Sequence, residues 1–470
     1  MTRIVPKLLP LVFALALAGC STVPELKAPE LAVPTAFKEV SGPENSTWKV
    51  AQPAEAQERG AWWRAFRDPA LDALIGEATA ANQNLAMAAA RVKQARALAG
   101  IAEADRIPQV GIGLGAQRAR APGANLAPAT AYSANLTASY ELDLFGRVSA
   151  GVAAARNDAQ AAEATFRSVL LALQADVAQT YFRLRATDAE LATLNETVHL
   201  RAETVKVNQR RFEAGDIGEF DLTRARTELA TARAEAIGLQ RQRAQLEHAL
   251  AVLLGKPPAA YAAQDNPLAT DLALPNVPAG LPSALLERRP DISAAQRAMM
   301  AANARIGVAR AAMFPALTID AVGGTQTGSS ADLFKWSART WAASALLAMP
   351  LIDGGRNRAN VTRSEAALDE AVAGYRQQVL TAFAEVEDNL AGLRVLRGQA
   401  EQVDAAVVDA RRSADLAQKL YAAGRSSYLE LLDAQRNLAA VERSAVQLRG
   451  NRAVTTVALI RSLGGGWDVQ

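Results

Sequence analysis

From Tyr132 to Asp143 the chain alternates apolar and polar residues without a fault. Tyr132, Ala134, Leu136, Ala138, Tyr140 and Leu142 fall on one side, and Ser133, Asn135, Thr137, Ser139, Glu141 and Asp143 on the other. A period of two separates such sets onto opposite faces of a strand. Val110, Ile112, Leu114 and Ala116 alternate with Gln109, Gly111, Gly113 and Gly115 in the same sense. Four strands are predicted, at about 107–120, 130–145, 315–328 and 338–352, the last nearly all apolar before Pro350. An apolar outside with a wet inside suits a membrane β-barrel. A soluble sheet with one face on a core would read the same way. Four strands cannot close a barrel, because closed barrels begin at about eight strands. If these strands span a membrane, several chains must share one barrel: two would make a filled tube, three a conduit.

The helical pattern is equally regular. Leu170, Val177, Leu184, Leu191, Val198, Val205 and Phe212 recur every seven residues, within a helix predicted from Arg147 to about Glu213. A strict heptad argues for coiled-coil packing. The next seam positions (Thr180, Thr187, Arg201, Asn208) are polar, so the contact stripe is narrow, as in a hollow wall with one wet face. A helix of roughly 65 residues spans about 100 Å, far beyond the ordinary globular length. A turn over Ala214 to Glu219 and a second helix to Leu254 complete the pair.

The whole pattern is written twice. Residues Ser139 to Gly255 realign on Ala348 to Gly464 with a constant offset of 209, and upstream the offset is 207. The heptad partners Val379, Val386, Leu393, Ala400, Val407, Ala414 and Tyr421 are again all apolar. Two long copies give pseudo-symmetry rather than a solenoid, which needs several short repeats. The predicted organisation is a first repeat over 61–255, with a helix from Asp68-Pro69 to about Asp105, the first two strands and the helix pair 147–254. A Pro-rich linker over 256–281 follows. The second repeat covers 282–464, with a helix over 283–313, the other two strands and the helix pair 356–462; 465–470 is a tail.

The N-terminus sets the compartment. Arg3 and Lys7 precede a short apolar run from Leu8 to Ala18, which reads as a removable signal over 1–19 rather than a membrane-spanning helix. Leu17-Ala18-Gly19-Cys20 resembles a bacterial lipobox, making Cys20 the site of a covalent diacylglycerol and N-acyl lipid, with Ser21 favouring the outer membrane. Cys20 is the only cysteine, so no intrachain disulfide is possible. Residues 20–60, with five prolines, read as an extended, lipidated arm. Loss of the signal lowers the formal charge from +3 to about +1, which offers nothing to nucleic acid.

Two segments carry a family resemblance. Trp62-Trp63-Arg64-Ala65-Phe66-Arg67-Asp68-Pro69-Ala70-Leu71, followed by Asn84-Leu85 and Ala89-Ala90-Arg91, is one; Ser427-Tyr428-Leu429-Glu430-Leu431-Leu432-Asp433-Ala434-Gln435-Arg436 is the other. Together they resemble the outer-membrane factor family of TolC-like efflux channels, in its OprM/NodT lipoprotein branch. The resemblance implies an α plus membrane-β fold: a homotrimer with a twelve-stranded barrel, four strands per chain, on a long α-helical barrel with an equatorial domain. It implies a passive outer-membrane duct for drugs or other small toxic compounds. Its partners would be a periplasmic adaptor and an inner-membrane transporter of the resistance-nodulation-division type. A duct for a protein secretion system has the same architecture, and a periplasmic coiled-coil lipoprotein without a pore is the non-channel alternative.

The resemblance also places a periplasmic tip. A Gly marks each helix–helix turn, Gly215 and Gly424, where the adaptor would touch. Acids six residues on, Asp221 and Glu430, with Asp433 and the aromatic Tyr421, would form the gate. Three copies of such carboxylates around a narrow pore would favour cations. The same acids also suit a helix N-terminus on dipole grounds alone. The family pattern can carry an Arg two residues after the second Gly; here Ser426 stands there and Arg425 sits one position early. Catalysis has no inventory: His199 and His248 are isolated, Met299, Met300 and Met349 are scattered, and no phosphate loop or nucleophile elbow occurs. The chain is expected to be no enzyme, to hold no metal, and to depend on an external energy source.

Overall fold

The computed structural model describes residues 22–27, 29, 34, 36–39, 60–120, 128–272, 274–275, 277 and 288–465. Cys20, the signal, most of the arm, residues 282–287 and residues 466–470 of the tail lie outside them. Seven α-helices and four strands are described: α1 (Pro69–Ala81), α2 (Gln83–Ala104), β1 (Gln109–Ala119), β2 (Ala129–Leu142), α3 (Arg147–Glu213), α4 (Glu219–Leu253), α5 (Pro290–Ala311), β3 (Ala316–Thr327), β4 (Arg339–Ala348), α6 (Arg356–Ala422) and α7 (Tyr428–Ser462). The chain divides into two compact units. One gathers 1–31, 90–164 and 292–378; the other gathers 32–89, 165–291 and 379–470.

The first unit holds the sheet, antiparallel throughout in the order β1-β2-β3-β4. Register carries the alternation through β1 and β2 and weakens it in β3 and β4, where Val322, Ala342 and Leu346 share the side of Ser139. Ile112, Leu136, Gly323 and Trp341 stand in one row, and Val110, Ala138, Ala321 and Ala343 in another. The opposite face carries Gly113, Asn135 and Gly324 in one row, and Gln109, Ser139, Asp320 and Ser344 in the next. Ser139 donates to Asp320 Oδ1 at 2.7 Å on that polar face. Every residue of β1 and of β4 is exposed, although Ile112 and Trp341 are large and apolar. Each of these strands pairs on one side only, so the sheet ends in two open edges. β4 stops at Ala348 rather than running to 352, because Pro350 has no N–H for a ladder. β2 ends at Leu142, short of the predicted 145; Asp143 instead accepts from Val148 and Ser149 N–H and caps α3.

The second unit is helical, and its largest core gathers Trp62, Phe66, Leu71, Ile75, Val177, Tyr181, Phe182, Leu250 and Leu254. Trp62–Phe66 form a 3₁₀ turn, and Asp68 then caps α1 by accepting from Ala70 and Leu71 N–H. The single helix predicted from Asp68 to Asp105 is two. Asn82 breaks it with an extended backbone (ψ 126°), accepts from Leu85 N–H at 3.0 Å and donates to Leu253 O at 2.9 Å. That amide satisfies a carbonyl at the end of α4 that helix geometry leaves orphaned. The second repeat does the same with a different residue: Arg289 donates to Ser462 O at 3.0 Å, and 289 and 462 are the repeat mates of 82 and 253. Gly255 and Gly464 match as well. Each has positive φ (71° and 87°), and a Cβ would lie 2.4 Å from Ala81 O or 3.0 Å from Arg288 O. The predicted helix over 283–313 is described as α5 from Pro290 to Ala311.

No described helix is long and apolar enough to cross a membrane. The long helices α3 and α6 have 67 residues each, and α4 and α7 have 35 each. Pseudo-symmetry therefore extends to element length.

Candidate functional site

Two turns join the long helices, and they are copies of one another. At the first, Asp216 N–H donates to Arg211 O and Gly215 N–H to Phe212 O; at the second, Arg425 N–H donates to Leu420 O and Gly424 N–H to Tyr421 O. This pattern closes a helix only if one residue turns left-handed, and Gly215 (φ 79°) and Gly424 (φ 68°) supply that conformation. No atom lies within 4 Å of a Cβ built on either glycine, so backbone conformation alone selects glycine there.

Beyond the turns the copies diverge. Gly218 begins α4 without a side-chain cap. Ser427 begins α7 with a full capping box: its hydroxyl accepts from Glu430 N–H at 3.3 Å, and its own N–H donates to Glu430 Oε2 at 3.0 Å. Glu430 is thus engaged with the start of its helix. Asp433 is exposed one turn on, where its charge acts on Arg436. Asp221 is half-buried in the first turn of α4, and its charge acts on Tyr421. Ser426 is half-buried, and its hydroxyl has no partner among the described residues.

Tyr421 anchors the tip. Its ring packs with Ala225, Tyr428, Leu431 and Leu432, lies 6.0 Å from the Tyr428 ring and carries the Arg211 guanidinium at 5.1 Å. Its hydroxyl donates to Asn208 Oδ1 at 2.8 Å in a buried contact. Burial pushes its phenol above the ordinary value, against the opposing charge of Arg211. Tyr428 is pushed up to about 12, first by burial and then by Glu228.

Above the tip lies a three-helix clamp that the sequence reading did not single out. Glu228 on α4 is 8% exposed and is held by Arg201 of α3 and Arg436 of α7, with Arg436 Nε donating at 3.1 Å. The hydrogen bond from Arg436 leads in holding its carboxyl below the ordinary value, although burial alone would raise it. Seven residues further along both helices, Arg443 donates to Glu235 Oε2 at 2.5 Å, so α4 and α7 are stitched at heptad spacing. The repeat mates of Arg201 and Glu228 are Ala410 and Asn437, and neither can form an ion pair. Internal symmetry therefore gave no hint of the clamp. The one available signal was Arg436 at the end of the Ser427–Arg436 motif.

A four-stranded sheet with two open edges, joined in sequence to paired 67-residue helices, is the arrangement expected of an outer-membrane channel protein. The comparisons with known proteins agree. The model of the outer membrane efflux protein family matches residues 74–256 and 281–465, nearly the bounds of the two repeats. The chain belongs to that family. It is 34% identical over 464 residues to the cation efflux system protein CusC of Escherichia coli, covering 98% of this chain and 99% of that one. It is 35% identical over 471 residues to the toluene efflux pump outer membrane protein TtgF of Pseudomonas putida, covering 98% and 97%. Among solved structures, a membrane protein from Pseudomonas aeruginosa superposes with a TM-score of 0.87 at 33% identity, covering 96% of this chain and 99% of that one.

Proposed function

We propose that three copies of this chain form a closed duct in the outer membrane, lipid-anchored through Cys20 and gated at the Gly215 and Gly424 turns. The protein is the outer-membrane channel component of a tripartite efflux pump, working with an adaptor and an inner-membrane transporter. The observation that carries the trimer reading is the sheet. Its faces differ in polarity most clearly in β1 and β2, and its edges β1 and β4 each lack a neighbour on one side. Hydrocarbon does not tolerate unpaired strand edges, and four strands cannot close alone. Three copies give twelve strands and a lumen lined by Gln109, Ser139 and Asp320.

In this reading the duct is passive, and the inner-membrane partner is a resistance-nodulation-division transporter. The cargo is a small toxic compound chosen upstream. Asp221 and Asp433 ring the closed tip and favour cations, while Tyr421 and the Glu228 clamp hold each chain's helices together behind them. A thiol-reactive photocrosslinker at Ser426→Cys tests this in cells, where the lipid blocks Cys20. Capture of an adaptor and a proton-driven transporter supports the reading. Capture of an ATP-driven exporter moves the protein to secretion, and no partner with no self-crosslinked trimer refutes the tip assignment.

A further inference from the structure

The two repeats have matching cores in the second unit, but only the first covers its core with buried aromatic rings from its own repeat. Val177, Tyr181, Leu184, Leu250 and Leu254 of the first repeat pack under Trp62 and Phe66. Their mates Val386, Leu390, Leu393, Leu459 and Leu463 form a second cluster; the buried ring on it is Phe37, from the N-terminal arm, and Phe383 of α6 packs there only partly buried. Phe37 is 4% exposed.

The polar contacts repeat the substitution. In the first repeat Arg185 Nη1 donates to Asp68 Oδ2 at 2.6 Å, two residues after Phe66. In the second, Arg394, the mate of Arg185, donates through Nη2 to Glu39 Oε2 at 2.6 Å, two residues after Phe37. The site is also built to receive backbone. Glu387 accepts from Lys38 N–H through Oε1 at 2.7 Å and from Glu39 N–H through Oε2 at 3.1 Å. Its mate in the first repeat is Ala178, which can accept nothing through its side chain. At the 207 offset the stretch matching Trp62–Asp68 is Ala269–Pro275, which has no aromatic residue. Leu272 and Leu274 from that stretch pack on the first core instead.

We infer that the second repeat carries a peptide-binding seat, formed by Val386, Glu387, Arg394, Leu459 and Leu463, whose ligand is the arm segment Phe37–Glu39. The ligand chemistry is an aromatic residue followed two positions later by a carboxylate, with two backbone N–H groups between the jaws of Glu387. Docking is a separate, reversible event that ties the N-terminal arm to α6. The inference stands whether or not the duct reading holds, since it uses only contacts within one chain.

Chymotrypsin cleavage after Phe37 reads it out in the intact protein, because a ring seated in the core must leave before the protease can take it. Glu387→Ala and Arg394→Glu are each expected to raise the cleavage rate about fivefold to tenfold. Pairing Arg394→Glu with Glu39→Arg is expected to return the rate toward that of the parent chain. Thermal stability of the rest of the molecule, followed on the same samples, is expected to change little. An unchanged cleavage rate in Glu387→Ala overturns the proposal. So does a charge-swapped chain that is cut as fast as Arg394→Glu alone.

Discussion

Replacing Glu228 by Gln removes one charge and leaves the shape almost intact. The two arginines then face different fates. Arg201 is 13% exposed in its side chain and becomes a buried cation without a counter-charge; Arg436 is 47% exposed and can turn to water. Breaking a buried pair costs about 3–5 kcal/mol, whereas a half-exposed one contributes under about 1 kcal/mol. Gln keeps an acceptor for Arg201, so the lower figure of about 3 kcal/mol applies. At about 1.4 kcal/mol per decade, amide hydrogen exchange in the first turns of α4 and α7 is expected to quicken about a hundredfold. Mass-resolved exchange on the intact protein measures this, with Arg201→Gln and Arg436→Gln completing the cycle. The Glu228 carboxyl lies below its ordinary value, so its contribution is fully present above about pH 4.5 and is lost as pH falls through the folded value. Variant and parent should therefore converge in acid. Exchange unchanged within threefold would refute the reasoning.

Five further outcomes follow from the same structure. Gly255→Ala places a methyl 2.4 Å from Ala81 O as well as straining φ, and should sharply reduce folded protein. Gly424→Ala meets only open space and should cost about 1–2 kcal/mol, read as a modest loss of thermal stability. Trp62→Ala removes a ring that is 1% exposed from the largest core and should cost about 3–5 kcal/mol, seen as lost expression at growth temperature. Cys20→Ser should abolish incorporation of labelled palmitate. Asp320→Asn should lower the cation preference of single-channel conductance without changing the amount of assembled protein.

What could be read beforehand was whatever repeats. The strand Tyr132–Asp143 shows its faces by period two, and the heptad from Leu170 to Phe212 shows its helix by period seven. The 209-residue offset doubles both. What escaped was carried by single polar residues meeting partners far along the chain. Asn82 looks like one more residue in an alanine-rich helix until Leu253 O is beside it. Glu228 looks like a surface acid until Arg436, 208 residues away, closes on it. Phe37 sits in a stretch whose prolines say only that it is extended. Where the repeats differ, at Glu387 against Ala178 or Glu228 against Asn437, symmetry could not help, although both residues make long-range contacts.

The open edges of the sheet bear on inheritance as much as on architecture. If β4 of one chain must meet β1 of the next, every ring contains each chain's two seams, and no copy can be defective in private. A chain whose β1 or β4 cannot pair would spoil the rings it joins, so that in a cell making both kinds intact rings would be the minority. Damage to an edge strand should therefore behave as a dominant trait, and damage at the Phe37 seat, which each copy closes for itself, as a recessive one.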